Sequence, residues 1–149
     1  MRRSGFRAFL CYIRDSSNMK IVTWNVNSIK ARLPHVIDYL RDEAPDVVLL
    51  QETKVVDEAF PALEIEDLGY NVIAHGQKAY NGVAILSKQP VDDVLYGLPG
   101  DDSDEQARYL EGTVGRTRVA SIYLPNGCLL YTSDAADEGL GVDLGGRRI

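Results

Sequence analysis

Two polar segments follow β-rich runs of this 149-residue chain and carry side chains suited to phosphate and metal chemistry. The first is Trp-Asn-Val-Asn at residues 24–27, in which Asn25 and Asn27 alternate toward one face. An asparagine amide can donate to a phosphate oxygen and accept from a metal-bound water. On spacing alone, an ordinary asparagine-rich turn after a strand is the simpler interpretation of this segment.

The second segment is Leu-Gln-Glu-Thr-Lys at residues 50–54, which ends an apolar run. A carboxylate at such a position needs a cation or hydrogen-bond partners if it is not simply solvated, and Glu52 is therefore a candidate metal ligand. Parallel strands of a βαβ unit bring their carboxyl ends to one edge, where ligands commonly bind. For this reason, Glu52 together with Asn25 indicates a ligand site more specifically than either residue does alone.

An alternation of short β-rich runs and helical spacing must position these side chains. Residues 21–26 are a predicted strand, residues 29–41 place apolar side chains at helical spacing, and Pro45 ends that helix. The continuous apolar run that follows is typical of a strand buried on both faces. Further strands are predicted at residues 70–74, 83–87, 91–96, 109–114 and 118–124. This order predicts a mixed α/β sheet.

Composition and charge narrow the class of protein. Apolar residues make up 45% of the chain, charged residues 26% and mean hydropathy is −0.16, values that exclude a disordered or collagen-like chain. No apolar stretch approaches the roughly 20 residues of a membrane-spanning helix, so we expect no integral membrane protein. The net charge of −6 leaves both DNA and divalent cations open as partners. Cys11 and Cys128 lack metal-knuckle spacing, and two such distant cysteines favour a reducing compartment.

Five segments share one register with a known family. They are residues 19–32 (Met-Lys-Ile-Val-Thr-Trp-Asn-Val-Asn onward), residues 45–54 (Pro-Asp-Val-Val to Gln-Glu-Thr-Lys), Gly-Tyr-Asn-Val at 69–72, His-Gly-Gln-Lys at 75–78 and Gly-Val-Ala-Ile-Leu at 82–86. The sequence of these segments resembles that of the exonuclease III family, the abasic-site endonucleases of the endonuclease/exonuclease/phosphatase superfamily. The resemblance implies the N-terminal half of a four-layered α/β sandwich, a Mg²⁺ or Mn²⁺ cofactor and hydrolysis of DNA phosphodiesters.

The resemblance also assigns roles to individual residues. Glu52 matches the family's metal-binding glutamate, Asn25 the asparagine that supports the metal and phosphate site, and Asn27 a position close to the metal. Tyr123 matches the active-site tyrosine that approaches the scissile phosphate. A phenol there can donate to a non-bridging oxygen as negative charge develops. From its position at a strand end alone, without the resemblance, Tyr123 is interpreted as a half-buried sheet residue.

Four further residues are candidate DNA contacts, and two of them, Tyr80 and Arg108, fall in loops that face DNA in relatives. Tyr80 precedes the turn signal Asn-Gly and is expected to project its ring into a groove. Arg108 is a candidate phosphate contact, with a salt bridge to the acidic run at residues 101–105 as the equal alternative. Lys54 and Lys78 are candidate backbone contacts, although surface lysines are commonly only solvated.

The resemblance covers residues 19–127 and divides the chain into three parts. Residues 1–18 carry four arginines and show no core periodicity, so we expect an upstream extension with Met19 as the native start. Residues 128–149 resemble a translated sequencing adapter and are expected to be a non-native tail. The family's Gly-Asp-x-Asn and Ser-Asp-His segments are missing, and His35 and His75 cannot replace the general base.

The resemblance implies a fragment of an exodeoxyribonuclease III-like DNA repair phosphodiesterase, which we expect to be inactive as truncated. Its expected partner is abasic or nicked duplex DNA. We expect the complete enzyme to be a monomer in the bacterial cytoplasm with no membrane association. Another superfamily phosphodiesterase or phosphatase, including an inositol-phosphate phosphatase or RNA deadenylase, stays an alternative, as does a noncatalytic nucleic-acid binding module. In the family's fold two packed sheets bury each other. Because this chain supplies essentially the first half of that fold, we expect one apolar sheet face to be exposed to water.

Overall fold

The computed structural model describes residues 10–14, 18–100 and 102–125. The helical elements within them are α1 (Ile29–Glu43), α2 (Ala62–Glu66) and a short 3-10 helix at Asp57–Ala59. The strands are β1 (Leu10–Arg14), β2 (Lys20–Asn25), β3 (Val47–Gln51), β4 (Asn71–His75), β5 (Val83–Ser87), β6 (Val91–Tyr96), β7 (Tyr109–Val114) and β8 (Thr117–Ile122). Among the described residues, no helix has the length and hydropathy required to cross a lipid bilayer.

The strands form two sheets. The large sheet has the order β1-β2-β3-β5-β4, and the small sheet has the order β6-β7-β8. Strands β2 and β3 are parallel, with Ile21 opposite Val47 and Asn25 opposite Gln51, whereas every other described pair is antiparallel. The carboxyl ends of β2 and β3 therefore lie side by side, as the predicted βαβ unit requires.

Helix α1 connects the two parallel strands, and its ends follow from local chemistry. The Ser28 hydroxyl accepts a hydrogen bond from the amide of Ala31, which is a standard way to satisfy a free amide in the first turn. At the other end Ala44 adopts a left-handed conformation and Pro45 follows. The predicted helix is confirmed and extends two residues beyond its predicted end.

Two hydrophobic clusters lie on opposite faces of the large sheet. On one face, α1 and α2 bury Val36, Leu40 and Ile65 against β2, β3 and β5. On the other face, Ile85 and its neighbours pack against inward residues of the small sheet such as Leu110. The layers are thus helix, sheet and sheet, which are three layers of the predicted four-layered sandwich.

The expectation of an open apolar face is wrong for the face of the large sheet that meets the small sheet. After β5 the chain crosses to a second sheet, and β6, β7 and β8 cover the inner face of the large sheet. The described residues therefore contribute strands to both sheets. Its inter-sheet core is closed within the described residues, with Val83, Ile85 and Leu110 fully buried.

The sequence analysis predicts no element before Met19, but β1 pairs antiparallel with β2 along that edge of the sheet. An unpaired edge presents free backbone N–H and C=O groups, so a strand can add there without any core periodicity. Residues 10–13 are a short apolar run, but Ile13 is 59% exposed, so this run does not mark a strand buried in the core. The non-native status of residues 1–18 stays a prediction, and the predicted tail at residues 128–149 lies outside the described residues.

Candidate active site

The candidate site lies at the edge where β2 and β3 end. The parallel ladder continues beyond both strands: the Val26 amide donates to the Gln51 carbonyl at 3.0 Å, and the Ser28 amide to the Glu52 carbonyl at 2.8 Å. These bonds hold the predicted asparagine segment directly beside the predicted glutamate. Glu52 itself has a positive φ of 56°, an uncommon conformation that ends the strand sharply.

Glu52 and Tyr123, 71 positions apart in the sequence, meet at this edge. The Tyr123 hydroxyl donates to Oε1 of Glu52 at 2.7 Å, and both side chains are partly buried. Burial and the hydrogen bond to the Glu52 carboxylate raise the pKa of Tyr123 to about 12. The phenol is consequently protonated near neutral pH and acts as a hydrogen-bond donor.

Arg108 lies next to this pair. Its carbonyl accepts the Tyr123 amide at 2.8 Å, and its positive charge opposes the rise in the Tyr123 pKa. The Nε atom of Arg108 is buried and has no hydrogen-bond partner among the described residues. None of the ion pairs in the described part of the chain involves Arg108, so the alternative of a salt bridge to the neighbouring acidic residues 102–105 finds no support there.

The two asparagines and Lys54 form a second group. Asn25 Oδ1 accepts the Asn27 amide at 3.1 Å, which closes an Asx turn, and Asn27 has a φ of 46°. The Lys54 ammonium donates to Asn27 Oδ1 at 2.5 Å. Asn27 is predicted as a neighbour of the metal and Lys54 as a DNA contact, and this hydrogen bond joins them. The Lys54 ammonium therefore competes with a metal ion for Asn27 Oδ1.

The donor atoms fit part of a magnesium site. Glu52 Oε2 accepts no hydrogen bond from the described residues, and the carbonyl oxygen of Asn25 keeps a second lone pair. Mg²⁺ prefers such hard oxygens and often takes one or two carboxylates while keeping several waters. Within the described ranges no cluster of three or more His, Cys, Asp or Glu side chains completes a site.

Lys78 and Tyr80 lie on the loop between β4 and β5. Both are exposed, Tyr80 to 56%, and the Tyr80 amide donates to the Lys78 carbonyl at 2.9 Å. Asn81 and Gly82 follow with φ angles of 57° and 98°, and the turn predicted at these two residues stays a prediction. A cavity of about 270 Å³ opens beside Tyr123 on the small-sheet side of the site.

The sequence analysis missed a buried polar link between the sheets. Gln51 Nε2 lies 3.0 Å from Thr23 Oγ1 and 3.2 Å from Ser121 Oγ, and the Ser121 hydroxyl donates to the Leu50 carbonyl at 2.7 Å. Gln51 and Ser121 are both buried. A serine at an inward position of the alternating strand β8 is the sequence signal that points to this link.

Comparisons with known proteins agree with this geometry. A sequence model described as the endonuclease/exonuclease/phosphatase family matches residues 22–145. Exodeoxyribonuclease III of Haemophilus influenzae is 43% identical over 114 aligned residues, which cover 73% of this chain and 42% of that protein. An exodeoxyribonuclease of Bacillus subtilis is 32% identical over 112 residues, 72% of this chain and 43% of that protein.

Solved structures show the same architecture. A 3′-5′ exonuclease, NExo, from Neisseria meningitidis superposes with a TM-score of 0.71 and 46% identity over 73% of this chain and 43% of that one. A NExo 3′ phosphatase from Neisseria bound to a product DNA hairpin has the same score and identity, over 73% and 42% of the two chains. An AP endonuclease from Archaeoglobus fulgidus has a TM-score of 0.70 and 38% identity, over 73% and 42%. The chain spans less than half the length of the relatives it matches.

Proposed function

The chain belongs to the endonuclease/exonuclease/phosphatase family, and we propose that it is the N-terminal part of a metal-dependent DNA repair nuclease that hydrolyses DNA phosphodiesters. The observation that carries this proposal is the Glu52–Tyr123 pair, which combines a carboxylate with a protonated phenol at the strand ends. The names of the relatives support it, since they are exodeoxyribonucleases and an AP endonuclease.

Glu52 and Asn25 would hold a Mg²⁺ or Mn²⁺ ion as part of its oxygen set. When bound, such an ion polarises a phosphoryl oxygen as a Lewis acid. Asn27 belongs to the same group, but its oxygen already accepts from Lys54, so we assign Asn27 to orienting the Lys54 ammonium beside the metal. Hard oxygen donors with open positions for substrate suit phosphoryl chemistry better than thiolate or imidazole sets do.

Tyr123 and Arg108 would bind the scissile phosphate. The pKa of about 12 keeps the phenol protonated. Its single proton is donated to Glu52, so we propose that this hydrogen bond is redirected when a non-bridging oxygen that gains negative charge comes within reach. Arg108 adds a cation next to it. The described histidines lie elsewhere: His35 is exposed on α1, and His75 stacks edge-on against Tyr96 at 5.6 Å. We therefore assign water activation to residues of the complete protein outside this chain, and we propose that the chain alone is inactive.

The proposed substrate is abasic or nicked duplex DNA. Lys78 and Tyr80 are exposed on a loop adjoining the site, where they can contact backbone and groove. A structural neighbour that was solved with a DNA hairpin product supports DNA as the class of substrate. We further propose that the complete enzyme is a monomer in the bacterial cytoplasm, which accords with the bacterial sources of two relatives.

The test uses a fusion enzyme that joins residues 1–127 to the C-terminal remainder of the Haemophilus influenzae relative. Glu52→Gln keeps an acceptor for Tyr123 but removes the charge that a cation requires. We expect incision of abasic duplex DNA to fall about 100-fold or more and the Mg²⁺ midpoint to rise, with little change in melting temperature. Glu64→Gln, on the exposed face of α2, is the matched control. Unchanged Mg²⁺ dependence in Glu52→Gln refutes the metal assignment.

A second candidate is a DNA 3′-phosphatase, because one neighbour at 46% identity is described as a 3′ phosphatase. Assaying the fusion enzyme in parallel on an abasic duplex, a 3′-phosphorylated nick and a simple phosphomonoester separates these activities. Binding without any hydrolysis would favour the noncatalytic module. The unfused 149-residue chain should cleave none of the three substrates, and measurable incision by it would refute the assignment of water activation to residues outside the chain.

A further inference from the structure

The loops around the candidate site converge on Asn81, a residue with no part in the chemistry proposed above. Asn81 lies between β4 and β5, is only 5% exposed and has a φ of 57°, a conformation that asparagine tolerates better than most residues. Its Nδ2 donates to Gln77 Oε1 at 2.7 Å and to Gln106 Oε1 at 2.8 Å. Both amide hydrogens are thus used, one on each of two separate loops.

The backbone at the same point holds one more segment and makes a second bond to the segment of Gln106. The Asn81 carbonyl accepts the Lys54 amide at 2.9 Å, and the Gly82 amide donates to the Ala107 carbonyl at 2.8 Å. Gln77 Oε1 also accepts the Ala107 amide at 2.8 Å. The loop of Lys78 and the segment before Arg108 are consequently tied together by three bonds: one from the Asn81 carboxamide, one from the backbone of its neighbour Gly82, and one through Gln77, whose Oε1 the Asn81 carboxamide also holds.

These bonds close a ring through the site. From Ala107 the chain passes to Arg108, whose carbonyl accepts the Tyr123 amide, and the Tyr123 hydroxyl donates to Glu52. Glu52 is next to Thr53, whose amide donates back to the Gly82 carbonyl at 3.2 Å. Three loops distant in sequence are in this way held as one unit.

We propose that Asn81 is a positioning residue: its buried carboxamide clamps the loop of Lys78 and Tyr80 to the loop of Arg108, so that these candidate DNA contacts keep fixed positions relative to one another. The inference rests on the proposed function. Its physical basis is preorganisation, since groups that touch a substrate lose effectiveness steeply when a supporting contact lets them shift.

Two isosteric variants of the fusion enzyme isolate the clamp. Asn81→Asp replaces two donors with an oxygen that faces Gln77 Oε1 and Gln106 Oε1. If Gln77 rotates its amide to compensate, it loses its bond to the Ala107 amide. Gln77→Glu adds the same charge next to the same position but keeps both accepted bonds, because Gln77 donates to no described residue. It therefore controls for repulsion between the added charge and DNA.

We expect Asn81→Asp to raise KM for abasic duplex DNA about tenfold or more, with a much smaller change in kcat and faster hydrogen exchange at the Ala107 amide. Gln77→Glu should keep that amide protected and raise KM less than about threefold. Asn71→Asp, the same substitution at the opposite end of the large sheet, should leave KM and kcat unchanged.

Three results would overturn the inference. Equal KM values in Asn81→Asp and Gln77→Glu would show an effect of charge alone. An unchanged KM in Asn81→Asp would refute the positioning role. An unchanged exchange rate of the Ala107 amide in Asn81→Asp would refute the clamp. A parent fusion enzyme that cleaves no DNA is a different outcome, because it refutes the proposed function and the positioning role together.

Discussion

The two sheets of this molecule differ in how their strands are covered. In the large sheet, β3 and β5 are buried at every residue, because helices lie on one face and the small sheet on the other. In the small sheet, β7 alternates between buried and partly buried residues, and β6 is largely exposed. The large sheet is an interior layer within the described residues, whereas the small sheet has one face covered.

The candidate site lies across both sheets and draws a different contribution from each. The large sheet holds Asn25 and Glu52 at the ends of its parallel strands, and the small sheet brings Arg108 and Tyr123. The residues proposed to hold the metal, Asn25 and Glu52, therefore lie on the more fully buried of the two sheets. The outer face of the small sheet is where the second helical layer of the predicted four-layered sandwich would pack.

The largest expected effect is at Gly82, where β5 of the large sheet begins. A Cβ there would collide with Thr53 Oγ1 and lie 3.1 Å from the Lys54 amide nitrogen, at a φ of 98°. We expect Gly82→Ala to destabilise the fusion enzyme by about 4 kcal/mol. Gly97, after β6 of the small sheet, has a φ of 86° and open space around it, so Gly97→Ala should cost about 1 kcal/mol. Urea unfolding measures both, and equal losses would contradict the packing argument.

The next effect compares one isoleucine from each sheet. Ile85 in β5 is fully buried between the sheets, and Ile122 in β8 is 49% exposed. Ile85→Ala should lower the free energy of unfolding by about 3 kcal/mol, from lost burial and the cavity left behind. Ile122→Ala should cost less than about 1 kcal/mol. A larger loss at Ile122 in the fusion enzyme than in the unfused chain would show that the added C-terminal part covers this face.

A smaller effect concerns Tyr70, whose buried hydroxyl donates to the Pro45 carbonyl at 2.6 Å. Tyr70→Phe should cost about 1 kcal/mol at neutral pH. Burial, followed by the charge of Asp46, raises the Tyr70 pKa from 10.0 to about 12. Because the folded chain binds the phenolic proton of Tyr70 more tightly than the unfolded chain does, the stabilisation by this hydroxyl is complete below pH 10. It is lost as the pH rises toward 12. Unfolding measured across this range should depend less on pH in Tyr70→Phe than in the parent.

The smallest effect is expected from removing residues 1–18. The β1 strand adds backbone bonds at an edge, but Cys11, Ile13 and Arg14 are exposed and add little packing. Fusion enzymes with and without these residues should differ by less than about 1 kcal/mol in stability and show equal incision rates. A clear loss of either would show that β1 belongs to the native domain.

Much of the architecture was determined by local pattern. The continuous apolar run of β3, the helical spacing of α1 and the Pro45 stop specify a βαβ unit, and this unit places Asn25 and Glu52 at one edge whatever follows. Those elements could be predicted because strand and helix periods are read within a few neighbouring residues. The strand β1 could not, because pairing at an exposed edge leaves no periodic apolar signal.

The partners of the site residues were decided only by the tertiary structure. The sequence marks Tyr123, Lys54 and Arg108 as chemically capable, but nothing in it states that Tyr123 bonds to Glu52 or that Lys54 bonds to Asn27. The role of Asn81 is likewise invisible, because its two side-chain acceptors lie on different loops. A local pattern reports which face of a strand is buried. Which distant segments share that face depends on how two sheets pack, and that packing is set by the summed burial of the whole chain.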